Sequence, residues 1–246
     1  MREVAREADA DVAGWSYVGS MLTAEDLLLL LYDDESGKPV TGSPGLDYAL
    51  AGAVLIELTL LGKVDIAGAG EATKEGRLKV LDTSPTGDPL LDGRLALLAD
   101  KAGQKPKNLM GKLSTKLRDE LLQRLAERGV LEADKDKVLG LFPVARWPAK
   151  DAQHEAQVRA ALENVLKLGT QPDERTASLV ALLNALNVVP KVVTDAVDKR
   201  ALKRRAKEIS ESDWAAEAVR KAVQEMQAAV TAAIVASSTA ATAGGS

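Results

Sequence analysis

Cysteine is absent from this 246-residue sequence, and histidine occurs once, at His154. Without thiols, a chain cannot form disulfides, cysteine-ligated zinc or iron–sulfur sites, or a cysteine nucleophile. A single imidazole also excludes mechanisms that need two histidines, which include most catalytic zinc sites. The sequence therefore predicts neither a metal site nor a cofactor.

Aromatic residues are scarce as well, at 3% of the chain. The core must then be built from Leu, Val and Ala, which favours helices. Basic residues are not in excess, because the net charge is −4 and the isoelectric point is near 5.3. A chain that binds nucleic acid usually shows a basic excess, so no nucleic-acid partner is expected.

No segment has the pattern of a secretory signal or a membrane span. The first 20 residues mix acids and bases around no apolar stretch. The longest strongly apolar stretch, Tyr48–Leu61, contains Glu57 and is shorter than the roughly 20 residues that a bilayer requires. We therefore expect a soluble protein whose membrane contact is peripheral. Residues 1–21 are predicted to be an N-terminal extension, and the sequence does not show whether this extension is ordered. Residues 227–246 are predicted to be a tail rich in Ala, Ser and Thr.

The apolar periodicity predicts a mainly α fold with β-hairpin insertions. A helix should begin at Thr23, whose hydroxyl is placed to cap it ahead of Glu25 and Asp26. Leu46–Leu61 is apolar nearly all round, which indicates a helix buried on most sides. Further helices are predicted over Asp88–Lys101, Lys112–Arg128, Val158–Leu166, Pro172–Val189, Lys199–Lys207 and Asp213–Ala236.

Two segments show the short alternation typical of β-hairpins. One is Lys63–Asp82, and the other is Val130–Val144, with two apolar pieces around a charged turn at Asp134–Lys137. The apolar tip of the second hairpin consists of Val138, Leu139, Leu141 and Phe142. This tip could enter a membrane interface with Trp147 at headgroup level, or it could pack on the preceding helix, and the residues leave both alternatives open.

The search for catalytic groups is mostly negative. Asp88 and Asp92 lie one helical turn apart and could share a proton or hold Mg²⁺, but such a pair more often caps a helix and bonds a neighbouring turn. His154 has acidic neighbours and is expected to be solvent-exposed. We therefore predict no catalytic residues and no enzyme.

A basic stretch at Lys199–Lys207 contains six Lys and Arg residues. Anionic headgroups attract such clusters by about 1 kcal/mol per basic residue. The alternative is a solvated helix face that pairs with Glu208 and Glu211.

Five strings together carry a resemblance to a known family. They are LTAEDLLLLLYDDESGK (Leu22–Lys38), LAGAVLIELTLLGKV (Leu50–Val64), SPTGDPLLD (Ser84–Asp92), LLQRLAERGVLE (Leu121–Glu132) and PDERTASLVALLNAL (Pro172–Leu186). The chain resembles the Golgi phosphoprotein 3 family, in particular its shorter bacterial members. The resemblance covers residues 22–226, which we take as the domain.

The resemblance implies a fold in which a buried hydrophobic helix is surrounded by amphipathic helices. It also implies a non-catalytic, cytoplasmic protein that associates peripherally with membranes. Eukaryotic members recognise phosphatidylinositol 4-phosphate, and their hydrophobic hairpin takes part in membrane contact or self-association. That hairpin would correspond to Val138–Phe142 here.

The headgroup pocket of the family is matched only in part. The loop Thr41–Gly45 lacks the family's Trp, and Ala51 stands where the family has Arg. The family's two basic positions on the amphipathic helix correspond to Thr115 and Arg118. The predicted headgroup-binding residues are Arg118, Lys112, Lys116 and Thr115. Because a phosphate needs several convergent donors, we expect this pocket to bind anionic phospholipids with weakened selectivity for the phosphoinositide.

Two other functions fit the same sequence. The hairpin could serve a protein–protein adaptor or a homo-oligomer scaffold. Alternatively, the amphipathic helix and hairpin over Leu113–Val144 resemble a winged helix, which would make the chain a nucleic-acid-binding regulator. The acidic isoelectric point argues against this hypothesis.

Overall fold

The computed structural model describes residues 21–41, 43–138, 142–194, 198–212, 224–225, 227–232 and 234–236. The helices are α1 (Thr23–Leu30), α2 (Ser43–Leu60), α3 (Pro89–Asp100), α4 (Pro106–Leu113), α5 (Leu117–Glu127), α6 (Gln153–Lys167), α7 (Glu174–Ala185), α8 (Val189–Val192) and α9 (Lys199–Glu211). The strands are β1 (Val64–Ile66), β2 (Leu78–Val80), β3 (Asp134–Val138) and β4 (Phe142–Arg146). The prediction of a mainly α fold with hairpin insertions is confirmed.

The central helix is α2, as its composition predicts. Every apolar side chain from Ala49 to Ile56 is at most 1% exposed. Helices α1, α3, α4, α5 and α7 all pack against α2. In the part of the chain that the structure describes, no helix is both long enough and apolar enough to cross a bilayer.

A glycine allows this close packing. A Cβ atom on Gly52 would lie 2.9 Å from Val230 Cγ2 and 3.3 Å from Leu182 Cδ2. The first distance is shorter than a normal contact between carbon atoms, which is about 3.5–4.0 Å. The small residue therefore lets α7 and the C-terminal segment approach α2.

The single helix predicted over Lys112–Arg128 is wrong, because the structure forms two helices there. Helices α4 and α5 meet at Lys116, whose φ of 58° lies in the left-handed region. The hydroxyls of Ser114 and Thr115 both donate to the carbonyl oxygen of Gly111, over 3.2 and 3.0 Å. Such bonds compete with the helical ladder, and the leucine spacing continues through the break without showing it.

Both predicted hairpins form, but the second one pairs differently from the prediction. In the first, Val64 lies opposite Val80. In the second, pairing runs from Asp134 opposite Arg146 to Val138 opposite Phe142. The charged residues 134–137 are therefore strand rather than turn, because cross-strand pairing outweighs their low β-propensity. Of the predicted tip, Leu139 and Leu141 lie outside the described residues.

The two ends of the chain are described only in part. The predicted extension 1–21 lies outside the described residues except for Met21, whose side chain is buried. Of the predicted helix Asp213–Ala236, the described pieces 224–225, 227–232 and 234–236 are helical.

Candidate functional site

The structure brings the four predicted headgroup residues to one place, where α4 meets α5. Lys112, Thr115 and Lys116 are exposed there, and Arg118 is partly buried one turn further on. We call these four residues the basic junction. Residues 101–118 contain five Lys and one Arg and no Asp or Glu. A run of one sign raises the local electrostatic potential and attracts anions.

Arg118 is already paired with an acid in this structure. Its Nε atom lies 3.1 Å from Asp47 Oδ1 of α2, and its side chain also bonds the Tyr32 hydroxyl. Burial raises the pKa of both Asp47 and Tyr32, and the charge of Arg118 opposes each shift. An incoming phosphate must therefore compete with Asp47 for the guanidinium group.

The two lysines of the basic junction are placed differently from Arg118. Both lysines are exposed, and the charge of Lys112 contributes to lowering the pKa of Asp100 at the end of α3. The backbone beside them is fixed, because Arg94 Nη2 donates to the Thr115 carbonyl oxygen over 3.4 Å and to Glu120 Oε2 over 2.6 Å. The left-handed conformation of Lys116 costs on the order of 1 kcal/mol that Gly would avoid. This backbone conformation places the ammonium group of Lys116 at an exposed corner between α4 and α5.

The motif SPTGDPLLD has a structural role. Asp88 caps α3 by accepting from the amides of Leu90 and Leu91 over 2.9 and 3.2 Å. Asp92 Oδ1 accepts from both the amide and the hydroxyl of Thr86, each over 2.7 Å. The capping interpretation of this carboxylate pair is confirmed.

Four carboxylates are buried around the N-terminus of α1. Glu25, Asp26, Glu57 and Asp88 are 0%, 1%, 2% and 3% exposed. Burying an isolated carboxylate costs several kcal/mol, so each of these groups needs partners. We call the four acids and their basic partners the buried ion-pair network.

Carboxylates, not the Thr23 hydroxyl, cap α1. The helix begins at Thr23 as predicted, but the capping residue is Leu22. Glu25 Oε2 accepts from the Leu22 amide and Glu57 Oε2 accepts from the Thr23 amide, each over 2.7 Å. The second cap comes from α2, which the sequence around α1 cannot show.

Arg175 of α7 and His154 of α6 pair with Asp26. Arg175 Nη2 lies 2.7 Å from Asp26 Oδ2, and Nη1 lies 3.7 Å from Glu57 Oε1. His154 Nε2 lies 2.7 Å from Asp26 Oδ1. The expected exposed histidine is therefore wrong, because His154 is half-buried and bonded to a buried acid.

Arg124 of α5 bridges the other two buried acids. Its Nε atom lies 3.0 Å from Glu25 Oε1, and its Nη1 atom lies 2.6 Å from Asp88 Oδ2. Burial raises the pKa of Glu25, against the opposing effects of the Leu22 amide, Arg124 and Arg128. The network thus ties α1, α2, α5, α6 and α7 to the cap of α3.

A further buried acid stands apart from that network. Glu155 of α6 is 3% exposed, and its Oε1 atom lies 2.5 Å from Arg159 Nη2. Burial raises the pKa of Glu155 to about 7, because Arg159 only partly offsets it and Asp34 adds to it.

The base of the second hairpin is joined to the core. The Trp147 amide donates to the Gly37 carbonyl oxygen over 3.2 Å, and the Trp147 side chain packs partly buried against the core. The sequence left open whether Trp147 lies at headgroup level, and in the structure its side chain is partly buried against the core.

Sequence reasoning missed Asp47 and the basic partners of the buried acids. A signal for the buried acids was present, because Glu57 is the one charge in the apolar stretch Tyr48–Leu61, and such a charge predicts a buried partner. Nothing comparable marked Asp47. In the described part of the chain, no group of three or more His, Asp and Glu side chains could hold a metal ion.

The fold and the site together define a helical scaffold that is held by buried ion pairs and exposes a basic junction. Residues 23–226 match the family model described as Golgi phosphoprotein 3 (GPP34). The chain belongs to this family. It is also 26% identical over 201 residues to a vacuolar protein sorting-associated protein 74 of Eremothecium gossypii. The alignment covers 69% of this chain and 60% of that relative.

Proposed function

We propose that this chain is a non-catalytic peripheral membrane protein that binds anionic phospholipid headgroups at the basic junction. The observation that carries the proposal is the exposed pair Lys112 and Lys116 beside Arg118, within a stretch that holds no acid. Hydrogen bonds from charged donors to a phosphate are worth about 1.5–3 kcal/mol each. Membership of a family with a sorting-associated relative supports a role at a cytoplasmic membrane face.

The headgroup selectivity we propose is broad. Ala51 offers no donor, and Thr115 directs its hydroxyl to the Gly111 carbonyl oxygen. Charge attraction by Lys112, Lys116 and Arg118 then carries most of the binding, and it does not distinguish one anionic lipid from another. We expect phosphatidylserine vesicles to bind comparably to phosphoinositide vesicles of equal surface charge.

Co-sedimentation with vesicles tests the proposal. Replacing Lys112 and Lys116 with Glu should weaken binding to phosphatidylserine vesicles by at least about tenfold, because each basic residue near the surface contributes about 1 kcal/mol. The variant Lys116→Gly separates charge from folding, since it removes one cation and relieves the left-handed strain. It should weaken binding about fivefold without lowering the thermal midpoint. Unchanged binding by both variants would reject the basic junction as the site.

Removing the acid that pairs with Arg118 should strengthen binding. In Asp47→Asn the carboxylate charge next to the guanidinium is lost, while the shape of the side chain is kept. We expect the affinity for phosphatidylserine vesicles to rise by about two- to fivefold, in line with the strength of a partly exposed ion pair. Glu120→Gln is the matched control, because it removes a carboxylate paired with Arg94 instead. Equal effects of the two variants would mean that only net charge matters.

The hairpin tip is the second part of the proposal. Pairing of the second hairpin runs from Asp134 opposite Arg146, next to the core-bound Trp147, to Val138 opposite Phe142. We propose that Val138, Leu139, Leu141 and Phe142 enter the membrane interface. Leu141→Asp combined with Phe142→Asp should reduce vesicle binding at high salt. If the variant instead changes only the solution mass, the tip belongs to a homo-oligomer contact, as the adaptor hypothesis requires.

A further inference from the structure

Helix α9 carries a second basic surface, far along the sequence from the basic junction. At 100° per residue, its exposed cations fall within an arc of about 140°. They are Lys199, Arg200, Lys203, Arg204 and Lys207. The opposite face of α9 buries Leu202, Ala206 and Ile209 against the core. The helix is therefore anchored by one side and presents a row of cations on the other.

The acids of α9 do little to neutralise that row. Glu208 lies 3.9 Å from Arg204 Nε, and Glu211 lies 3.9 Å from Lys207 Nζ. Pairs of this length between exposed side chains contribute little. Among the described residues, Lys199, Arg200 and Lys203 have no carboxylate within ion-pair distance.

The charges at the two ends of α9 affect the stability of the helix differently. Lys199 and Arg200 occupy the first turn, which carries no acid, and Glu208 and Glu211 lie toward the other end. The helix dipole favours acids at the start and bases at the end, so Asp198, which caps α9 by accepting from the amides of Arg200 and Ala201, is favourable, whereas Glu208 and Glu211 are not. The cations Lys199 and Arg200, at the start of α9, gain no stabilisation from the helix dipole.

An exposed apolar side chain lies on the Arg205 side of α9, about 100° round the helix from Arg204, the nearest cation of the row. Leu168, at the end of α6, is 74% exposed. It lies next to α9, because Arg205 donates to the carbonyl oxygens of Val165 and Gly169, over 3.4 and 3.5 Å. An apolar side chain next to a row of cations is typical of surfaces that enter the headgroup region of a bilayer.

We infer that the α9 row, Lys199, Arg200, Lys203, Arg204 and Lys207, together with Leu168, is a second contact with anionic phospholipid bilayers. The inference rests on the proposed function and extends it to a surface outside the basic junction. A bilayer fits better than nucleic acid, because α9 has no aromatic side chain for base stacking and Leu168 has no role against phosphates. Two separate contacts would fix the orientation of the protein on the membrane.

The variant Lys199→Glu, Arg200→Glu and Lys203→Glu tests the row in the full chain. Binding to phosphatidylcholine vesicles that contain phosphatidylserine should weaken by at least about tenfold. The thermal midpoint should stay the same or rise, because the new acids suit the helix dipole. The matched control replaces three exposed lysines elsewhere with Glu, which makes the same change in net charge, and it should weaken binding much less. These lysines are Lys38, Lys74 and Lys150.

Leu168 can be tested alone, because the chain has no cysteine. The variant Leu168→Cys can therefore be labelled at a single position with an environment-sensitive fluorophore. The emission of the fluorophore should shift to the blue when phosphatidylserine vesicles are added, and should not shift with vesicles of pure phosphatidylcholine. Unshifted emission on vesicles that do bind the protein overturns the part assigned to Leu168.

The outcomes separate this inference from the proposed function. If the α9 variant binds vesicles like the control while Lys112→Glu with Lys116→Glu does not, α9 is not a membrane contact and the basic junction stands. If the original chain binds no anionic vesicle, both fail. If the α9 variant loses only binding to a DNA duplex, the row is a nucleic-acid surface and the inference is overturned.

Discussion

Replacing Arg124 with alanine should destabilise the chain by about 3–5 kcal/mol. Arg124 lies between Glu25 and Asp88, which are 0% and 3% exposed, at 3.0 and 2.6 Å. Among the described residues, its removal leaves Glu25 with Arg128 and the Leu22 amide, and leaves Asp88 with its capping amides. The free energy of unfolding in urea is the measurement.

An exposed ion pair provides the control for that variant. Arg204 is 69% exposed and 3.9 Å from Glu208, so Arg204→Ala should cost between about 0 and 1 kcal/mol. If Arg124→Ala costs no more than this control, the buried ion-pair network does not hold the helices together, and our account of the fold is wrong.

Glu155 should make the protein less stable as the pH rises. Its pKa is about 7 in the folded chain, against an ordinary value of 4.5, because burial disfavours the carboxylate. Between these two values the folded state holds a proton that the unfolded state has released, so stability falls with rising pH. By about pH 8 the accumulated loss should approach about 3 kcal/mol.

Glu155→Gln isolates this effect. The amide keeps the shape of the side chain and cannot ionise, so the variant should be more stable than the original by about 2–3 kcal/mol at pH 8. The two should be similarly stable near pH 5. Urea unfolding at both pH values gives the difference, and Glu208→Gln, on the surface of α9, should show none. A Glu155→Gln difference that is the same at both pH values would mean that Glu155 is not buried as an acid.

Local patterns in the sequence predicted the elements that depend on local chemistry. The apolar run around Glu57 identified α2 as the central helix, and the spacing of Asp88 and Asp92 identified their capping roles. These features depend on residues a few positions apart, so composition and periodicity reveal them.

Features that depend on distant residues could not be predicted in the same way. Arg118 and Asp47 are 71 positions apart, and His154 and Asp26 are 128 apart. Sequence shows that a cation exists, but not which acid lies beside it after folding. Arg118 was therefore predicted as a headgroup residue without its competitor Asp47.

The break between α4 and α5 was missed for a different reason. Its signal is local, in the hydroxyls of Ser114 and Thr115, but it is weaker than the leucine repeat that runs across it. The break affects the proposed binding site, because it places Lys116 at a corner with a left-handed backbone instead of on a continuous helix face.

The ion pairs that stabilise the fold and the cations that we propose for binding occupy separate parts of this molecule. The buried ion-pair network surrounds the start of α1, whereas the basic junction and α9 carry exposed cations that contribute little to the core. Surface variants should therefore change binding without unfolding the chain, which makes the binding tests interpretable.

The central claim is that exposed cations draw this protein to anionic bilayers, and a salt series tests it most directly. The dissociation constant of the unmodified chain should be measured for phosphatidylserine-containing and for pure phosphatidylcholine vesicles at increasing ionic strength. We predict binding only to the anionic vesicles, and a steady loss of affinity as added salt screens the charges. Equal binding to both vesicles, or an affinity that salt leaves unchanged, would contradict the account.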